Sequence, residues 1–279
     1  MKRYFNTQKF KCLCTDFEFM FKKIKDYKGE LDLRLRDNYF NLYYKGNSLA
    51  KVVSRKNDYE ISIHKKFVGV SESEKEGVFK SETRFKANSP LKSEYCSICC
   101  NAELLPVVFQ NKYLNKMSSN IKKVNYSEEI TFEQMLITDN SDRSDLVIID
   151  RQVTETGMPG KLDLLGLRQA KGNHFCFEVI EVKLGNNKEL AYDVGEQLTR
   201  YIKHIESNIK SWAHSYKEMY RQVKMLGLFE QCPWDVIEIV SEVKGIIVVG
   251  GYSGIAKESI KNLRKHYPKL KINLIENRL

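Results

Sequence analysis

Residues 175–187, FCFEVIEVKLGNN, open as a buried strand and yet carry Glu178, Glu181 and Lys183. Side chains alternate along a strand, so Glu181 and Lys183 share one face and Glu178 takes the other. In the preceding apolar segment, KLDLLGL, Asp163 is polar among leucines. A tight turn through KGN, residues 171–173, folds the two segments into a hairpin and brings Asp163 beside the C-terminal part of FEVIEVK. Two carboxylates and an amine then converge at one end of a sheet. A charge in such a place needs partners or a metal. Asp163 and Glu181 are hard oxygen donors suited to Mg2+ or Mn2+, with waters completing the shell. An ion held there would offset charge on a phosphate and make water a stronger nucleophile. Lys183 would donate to that water or to the developing negative charge.

This order, an Asp on one strand and Glu-x-Lys on the next, resembles the PD-(D/E)XK nuclease superfamily. The resemblance makes the backbone carbonyl of Val182 a third metal donor beside Asp163 and Glu181. The family's proline is not adjacent to Asp163; Pro159 lies four residues before it. Further on, DVGEQLTRYIKHI reads as a helix with Gln197 and Tyr201 four residues apart on one face. That pair is similar to the Gln-x-x-x-Tyr element of the RecB-like exonuclease branch, which implies that Gln197 contacts the active site and that Tyr201 supports it or a phosphate. The site implied by the resemblance is therefore Asp163, Glu181, Lys183, Gln197 and Tyr201. Glu133 matches an acidic residue of the family's first helix, with Glu128 and Glu129 competing for the role. The resemblance runs over roughly residues 126–252.

Each member also has a plainer reading. Glu-x-Lys alone is a solvated strand face. Gln197 borders the apolar stripe Val194, Leu198, Tyr201, Ile202 and Ile205, where a satisfied interior glutamine and a core tyrosine would also fit. Glu178 reads as a salt-bridged or solvated residue of the opposite face, His174 as a turn residue and His204 as an exposed helix residue. VVGGYSGIA lacks the full glycine pattern and the Lys-Ser/Thr of a phosphate loop, and reads as a strand end and turn.

The elements that must position these residues follow from periodicity. Phe17, Met20, Phe21 and Ile24 are spaced as one helix ended by Gly29. LDLRLR, YFNLYY, SLAKVV and YEISIHK, split by short polar turns, predict an antiparallel meander. Residues 71–94 read as a loop, residues 104–117 as a helix after Pro106, and a boundary falls near Asn125. Beyond it come a helix (SEEITFEQMLITDN), three strands, a long helical region over 188–228, the buried strand KGIIVVGGY, a helix over 257–267 and a closing strand. Asn186 and Glu189 are spaced as a capping box for the helical region. This order predicts an α/β fold: a mixed sheet flanked by helices, restriction-endonuclease-like by the resemblance, over 126–279. A smaller α+β domain with an antiparallel meander is expected over 1–125.

Composition bounds the partners. The first 125 residues hold 25 Lys and Arg against 14 Asp and Glu, while the remainder holds 21 against 22, so the whole basic excess is N-terminal. That points to a polyanion, above all DNA, with a lysine-rich surface as the plain alternative. No apolar run reaches membrane-spanning length. Seven cysteines, an odd number without an export signal, read as reduced thiols, with zinc at CLC and CSICC a minor reading. The cytoplasm is the expected compartment. The sequence therefore predicts a metal-dependent deoxyribonuclease, with a homodimer as one arrangement open to it. The rival readings are a nuclease-fold module that binds DNA or a protein without cutting, and RNA as the substrate.

Overall fold

The computed structural model describes residues 1–56, 58–69, 86–88, 93–124 and 127–276. The chain forms two compact units, one of Lys2–Gln134 with Gln222–Leu228, the other of Met1, Met135–Arg221 and Phe229–Leu279. The division cuts within a helix, whereas the boundary expected near Asn125 lies outside the described residues.

The first unit opens with α1 (Thr7–Asp16), which periodicity did not predict, and α2 (Glu18–Asp26), the helix expected from Phe17, Met20, Phe21 and Ile24. The break is at Phe17, whose ring packs edge-on against Phe40 and Tyr59, with centroids 4.9 and 5.1 Å away. Tyr59 also donates its hydroxyl to Asp16. Phe17 thus separates α1 from α2 while its ring is fixed in the core. The meander forms as expected: β1 (Leu31–Arg36), β2 (Tyr39–Tyr44), β3 (Asn47–Ser54) and β4 (Tyr59–His64). Its tight turns use left-handed backbone at Asn38, Lys45 and Gly46. A short α3 (Lys65–Val68) follows. Two further strands join, β5 (Lys86–Asn88) and β6 (Tyr95–Cys100), giving the antiparallel order β1-β2-β3-β4-β6-β5. The CSICC stretch is thus a strand that buries Cys96 and Cys100. Most of the loop expected over 71–94 lies outside the described residues. The apolar stretch from Leu104 splits into α4 (Leu105–Val108), with Pro106 in its first turn, and α5 (Asn111–Val124). Helix α6 (Glu128–Asp139) contains the division; it buries Glu133 and Gln134 and leaves Met135 exposed. Gln134 donates to the Gly29 carbonyl at 2.7 Å, which explains a polar residue on the inner face.

The second unit carries the mixed sheet, in the order β11-β10-β9-β8-β7. Strands β7 (Leu146–Val153), β8 (Leu162–Lys171) and β9 (His174–Leu184) form an antiparallel set, and Gly172 makes the β8–β9 hairpin turn at φ 55°. The helical region after β9 is a 3-10 turn (Lys188–Ala191), then α7 (Asp193–Ser207) and α8 (Ile209–Met225), broken at Asn208. Strand β10 (Glu238–Gly250) begins six residues before the expected KGIIVVGGY. Helix α9 (Ser253–His266) and β11 (Lys271–Ile275) close the unit, with β9, β10 and β11 parallel. Both crossovers step the same way along the sheet, so right-handed connections put their helices on one face. Gly195 of α7 accordingly lies against the Tyr267 ring just past α9, where a Cβ would come within 2.5 Å of Tyr267 Cδ2.

At the end of β9, Gly185 lies so close to the end of β10 that a Cβ would stand 2.4 Å from the Gly251 carbonyl oxygen. That neighbour is backbone and cannot rotate away. Gly185→Ala is expected to destabilise this unit by about 1–3 kcal/mol, as overpacking does, read as a lowered urea midpoint. A control alanine at exposed Gly254, where a Cβ meets nothing within 4 Å, should leave the midpoint unchanged or raised.

Candidate active site

The β8–β9 register pairs Leu164 with Ile180, which sets Asp163 across from Glu181 one step further along. Asp163 Oδ2 accepts the Val182 N–H at 2.9 Å, tying the start of β8 to the middle of the Glu-x-Lys segment. In extended backbone the N–H and C=O of one residue lie on the same strand edge, so the Val182 carbonyl is also directed toward β8. On its other side β9 pairs with β10, Glu181 with Ile247 and Lys183 with Val249. Glu181 therefore sits in the central strand with apolar neighbours, and it is 0% exposed. Lys183 is 7% exposed. The pair expected at one end of a sheet is thus buried there.

Lys183 Nζ stands 2.9 Å from Glu181 Oε1. The contact lies off hydrogen-bonding alignment, so both carboxylate oxygens of Glu181 are buried without a directional hydrogen bond. Burial pushes the Glu181 carboxyl up from the ordinary 4.5 to about 8; the Asp163 charge adds to the rise and Lys183 opposes it. Burial raises Asp163 as well, against the Val182 N–H and the Lys183 charge. Asp163 is partly exposed.

Helix α7 supplies the remaining two residues. It lies over the same sheet face, because at Gly245 of β10 a Cβ would come within 2.6 Å of Ile202 and 3.2 Å of Leu198. Tyr201 is 1% exposed. Its hydroxyl accepts from Gln197 Nε2 at 3.1 Å and donates to the Lys161 carbonyl at 3.0 Å. Burial raises the Tyr201 phenol, the Gln197 hydrogen bond lowers it, and the charges of Glu181 and Asp163 raise it further. Tyr201 thus holds the loop leading into β8, two residues before Asp163. The loop can approach because Gly160, at φ 120°, has no Cβ; one would lie 2.8 Å from the Tyr201 hydroxyl. All five residues of the predicted set share one end of one sheet face. The chain matches no protein-family model, no curated protein and no solved structure.

Glu178 forms the salt bridge expected on the opposite face: it is buried there and held by Arg168, whose Nε lies 3.1 Å from its carboxylate. Several other expectations change. His204 is not an exposed helix residue: its Nε2 lies 3.1 Å from Glu155, which also accepts from Trp212 Nε1 at 2.9 Å. Asn187, not Asn186, caps the 3-10 turn by accepting from the Glu189 N–H at 2.9 Å. The Glu189 side chain instead reaches Lys183 Nζ at 3.2 Å. Glu189 is thus a site residue that capping logic concealed; the signal was its place six residues after Lys183, across one tight turn. Asp150, buried on β7 and bonded to the Tyr216 hydroxyl at 2.9 Å, is a structural carboxylate that periodicity had hidden in an apolar run.

Among the described residues no group of three or more His, Cys, Asp and Glu is placed to hold a metal, at the thiols or elsewhere. The site nonetheless fits a divalent cation. Two facing carboxylates share the buried Lys183, and the second negative charge is one that a proton or a cation must offset. Two carboxylates with waters is a common magnesium set.

The raised Glu181 carboxyl sets a pH dependence. The folded state holds this proton more tightly than the unfolded chain, so stability falls as pH rises from about 4.5 to about 8. Chelator-treated protein should show a lower urea midpoint at pH 8.5 than at pH 5. Glu181→Gln should remove most of that difference and raise the midpoint at pH 8.5.

Proposed function

We propose that this chain is a divalent-metal-dependent nuclease that hydrolyses DNA phosphodiester bonds, built as the PD-(D/E)XK resemblance implies. The observation that carries the reading is the buried, unsatisfied carboxylate of Glu181, with Asp163 facing it and Lys183 against it. Asp163, Glu181 and the Val182 carbonyl would hold the cation, Mg2+ or Mn2+. When bound, it supplies neutralisation of the scissile phosphate and a more acidic water.

The chain's own groups do the rest. Lys183 donates to a non-bridging phosphate oxygen or orients the attacking water, and its charge offsets the negative charge that grows during attack. The water oxygen bonds to phosphorus and gives up one proton to solvent, the bond to the bridging deoxyribose oxygen breaks, and that oxygen takes up a proton from solvent, so the proton count is unchanged. Tyr201 fixes the approach of the loop before Asp163, and Gln197 holds the Tyr201 hydroxyl in place. DNA is favoured by the N-terminal basic excess. Seven free cysteines support a reducing compartment such as the cytoplasm. No helix among the described residues is long and apolar enough to cross a membrane.

One observation favours a second reading, a nuclease-fold module that binds DNA or a protein without cleaving. Lys183 is already engaged by two carboxylates, Glu181 and Glu189. The readings separate on incubation of the purified protein with Mg2+ or Mn2+ and single-stranded DNA, duplex DNA or RNA. Cleavage that needs the cation is expected, with Asp163→Asn and Lys183→Ala each slowing it by at least about 100-fold while circular dichroism shows both variants folded. Cation and DNA binding with no cleavage of any substrate would favour the binding module. Unchanged cleavage in both variants would remove the site from the chemistry.

A further inference from the structure

Lys183 lies between two carboxylates of different character. Glu181 is buried in the sheet, 2.9 Å away, whereas Glu189 is on the surface, 3.2 Å away, with 54% of its side chain exposed. The backbone of Glu189 is fixed. Its N–H is held by Asn187, and the next residue, Leu190, is buried in the core. Its side chain spans from that anchored turn to the amine and is otherwise in solvent. An anion in this position makes the contact that a phosphate oxygen would need to make with Lys183.

We propose that Glu189 is a gating carboxylate: it occupies the phosphate seat on Lys183 and is displaced when a phosphodiester enters. This rests on the nuclease reading for the identity of the incoming anion. The geometry provides the reversibility. An ion pair with an exposed partner is weak and is screened by salt, so a phosphate can replace Glu189. The buried pairing with Glu181 stays in place while it does so. The gate keeps the amine oriented in the free protein. It also raises the threshold for casual anions, since chloride or a single free phosphate must compete with a tethered carboxylate at high effective concentration. A nucleic acid, held by further contacts along its backbone, meets that threshold more readily.

The test compares the full chain with Glu189→Gln, which keeps the size of the side chain and removes its charge. Glu206→Gln serves as the control, since it removes the same charge from an exposed position of α7. The first readout does not depend on cleavage: acetylation of Lys183 by an amine-reactive ester at pH 8, followed by mass spectrometry with and without inorganic phosphate. Glu189→Gln should be acetylated about three to five times faster than wild type and should be protected by phosphate concentrations that barely protect wild type. The second readout is steady-state cleavage of DNA with Mg2+, where KM should fall by a similar factor with kcat unchanged. The control should show neither effect. Equal acetylation and equal phosphate protection in Glu189→Gln and wild type would overturn the gate, as would a loss of kcat, which would place Glu189 in the reaction itself. If the acetylation results hold while wild type cleaves nothing, the gate stands and the nuclease reading fails.

Discussion

Glu181 is a carboxylate with no exposed surface in the central strand of a five-stranded sheet, and much of the second unit is arranged around that charge. Removing an ionised carboxylate from water is strongly unfavourable, and no directional hydrogen bond offsets it here. What tempers it is Lys183 two residues along the same strand face, while Asp163 on the neighbouring strand makes it worse. A sheet selected for stability alone would place an apolar residue there, as Ile247 does on the adjacent strand. Local instability kept at such a cost is the physical reason to read the place as a site.

The surrounding framework keeps this arrangement from relaxing. The β8–β9 register holds the two acids face to face, and Asp163 is tied to the Val182 N–H, so it cannot swing away without abandoning that bond. Tyr201 closes the approach by bonding to Lys161, and a glycine at position 160 lets the loop come within reach. Glu155, His204 and Trp212 fasten the earlier part of the same loop to α7 and α8. The helices therefore do more than cover the sheet: they hold the segment between β7 and β8 in the one path that delivers Asp163.

The two acids that meet Lys183 show how burial divides similar groups into different roles. Glu181 is fixed and desolvated, so its charge state is coupled to folding. Glu189 is anchored only through its backbone and can trade its place with an anion from solution. Both are glutamates within eight residues of each other, and only their surroundings separate them.

Much of the site was legible from residue types and spacing. Alternation along FEVIEVK, a turn at KGN and a lone Asp among leucines are sufficient to bring Asp163, Glu181 and Lys183 together, because strand period and hairpin geometry are local rules. The four-residue spacing of Gln197 and Tyr201 is equally local. Element order likewise determined a meander followed by a mixed sheet with helices. Tertiary structure alone decided the rest. The helix break at Phe17 follows from rings contributed by distant strands, and the strand character of CSICC from its pairing with β4. On α6 the polar Glu133 and Gln134 are buried while Met135 is exposed, His204 is occupied by Glu155, and Glu189 turns to Lys183 instead of capping a helix. In each case the deciding partner lies across a turn or far along the chain, and spacing within one element carries no information about what packs against it.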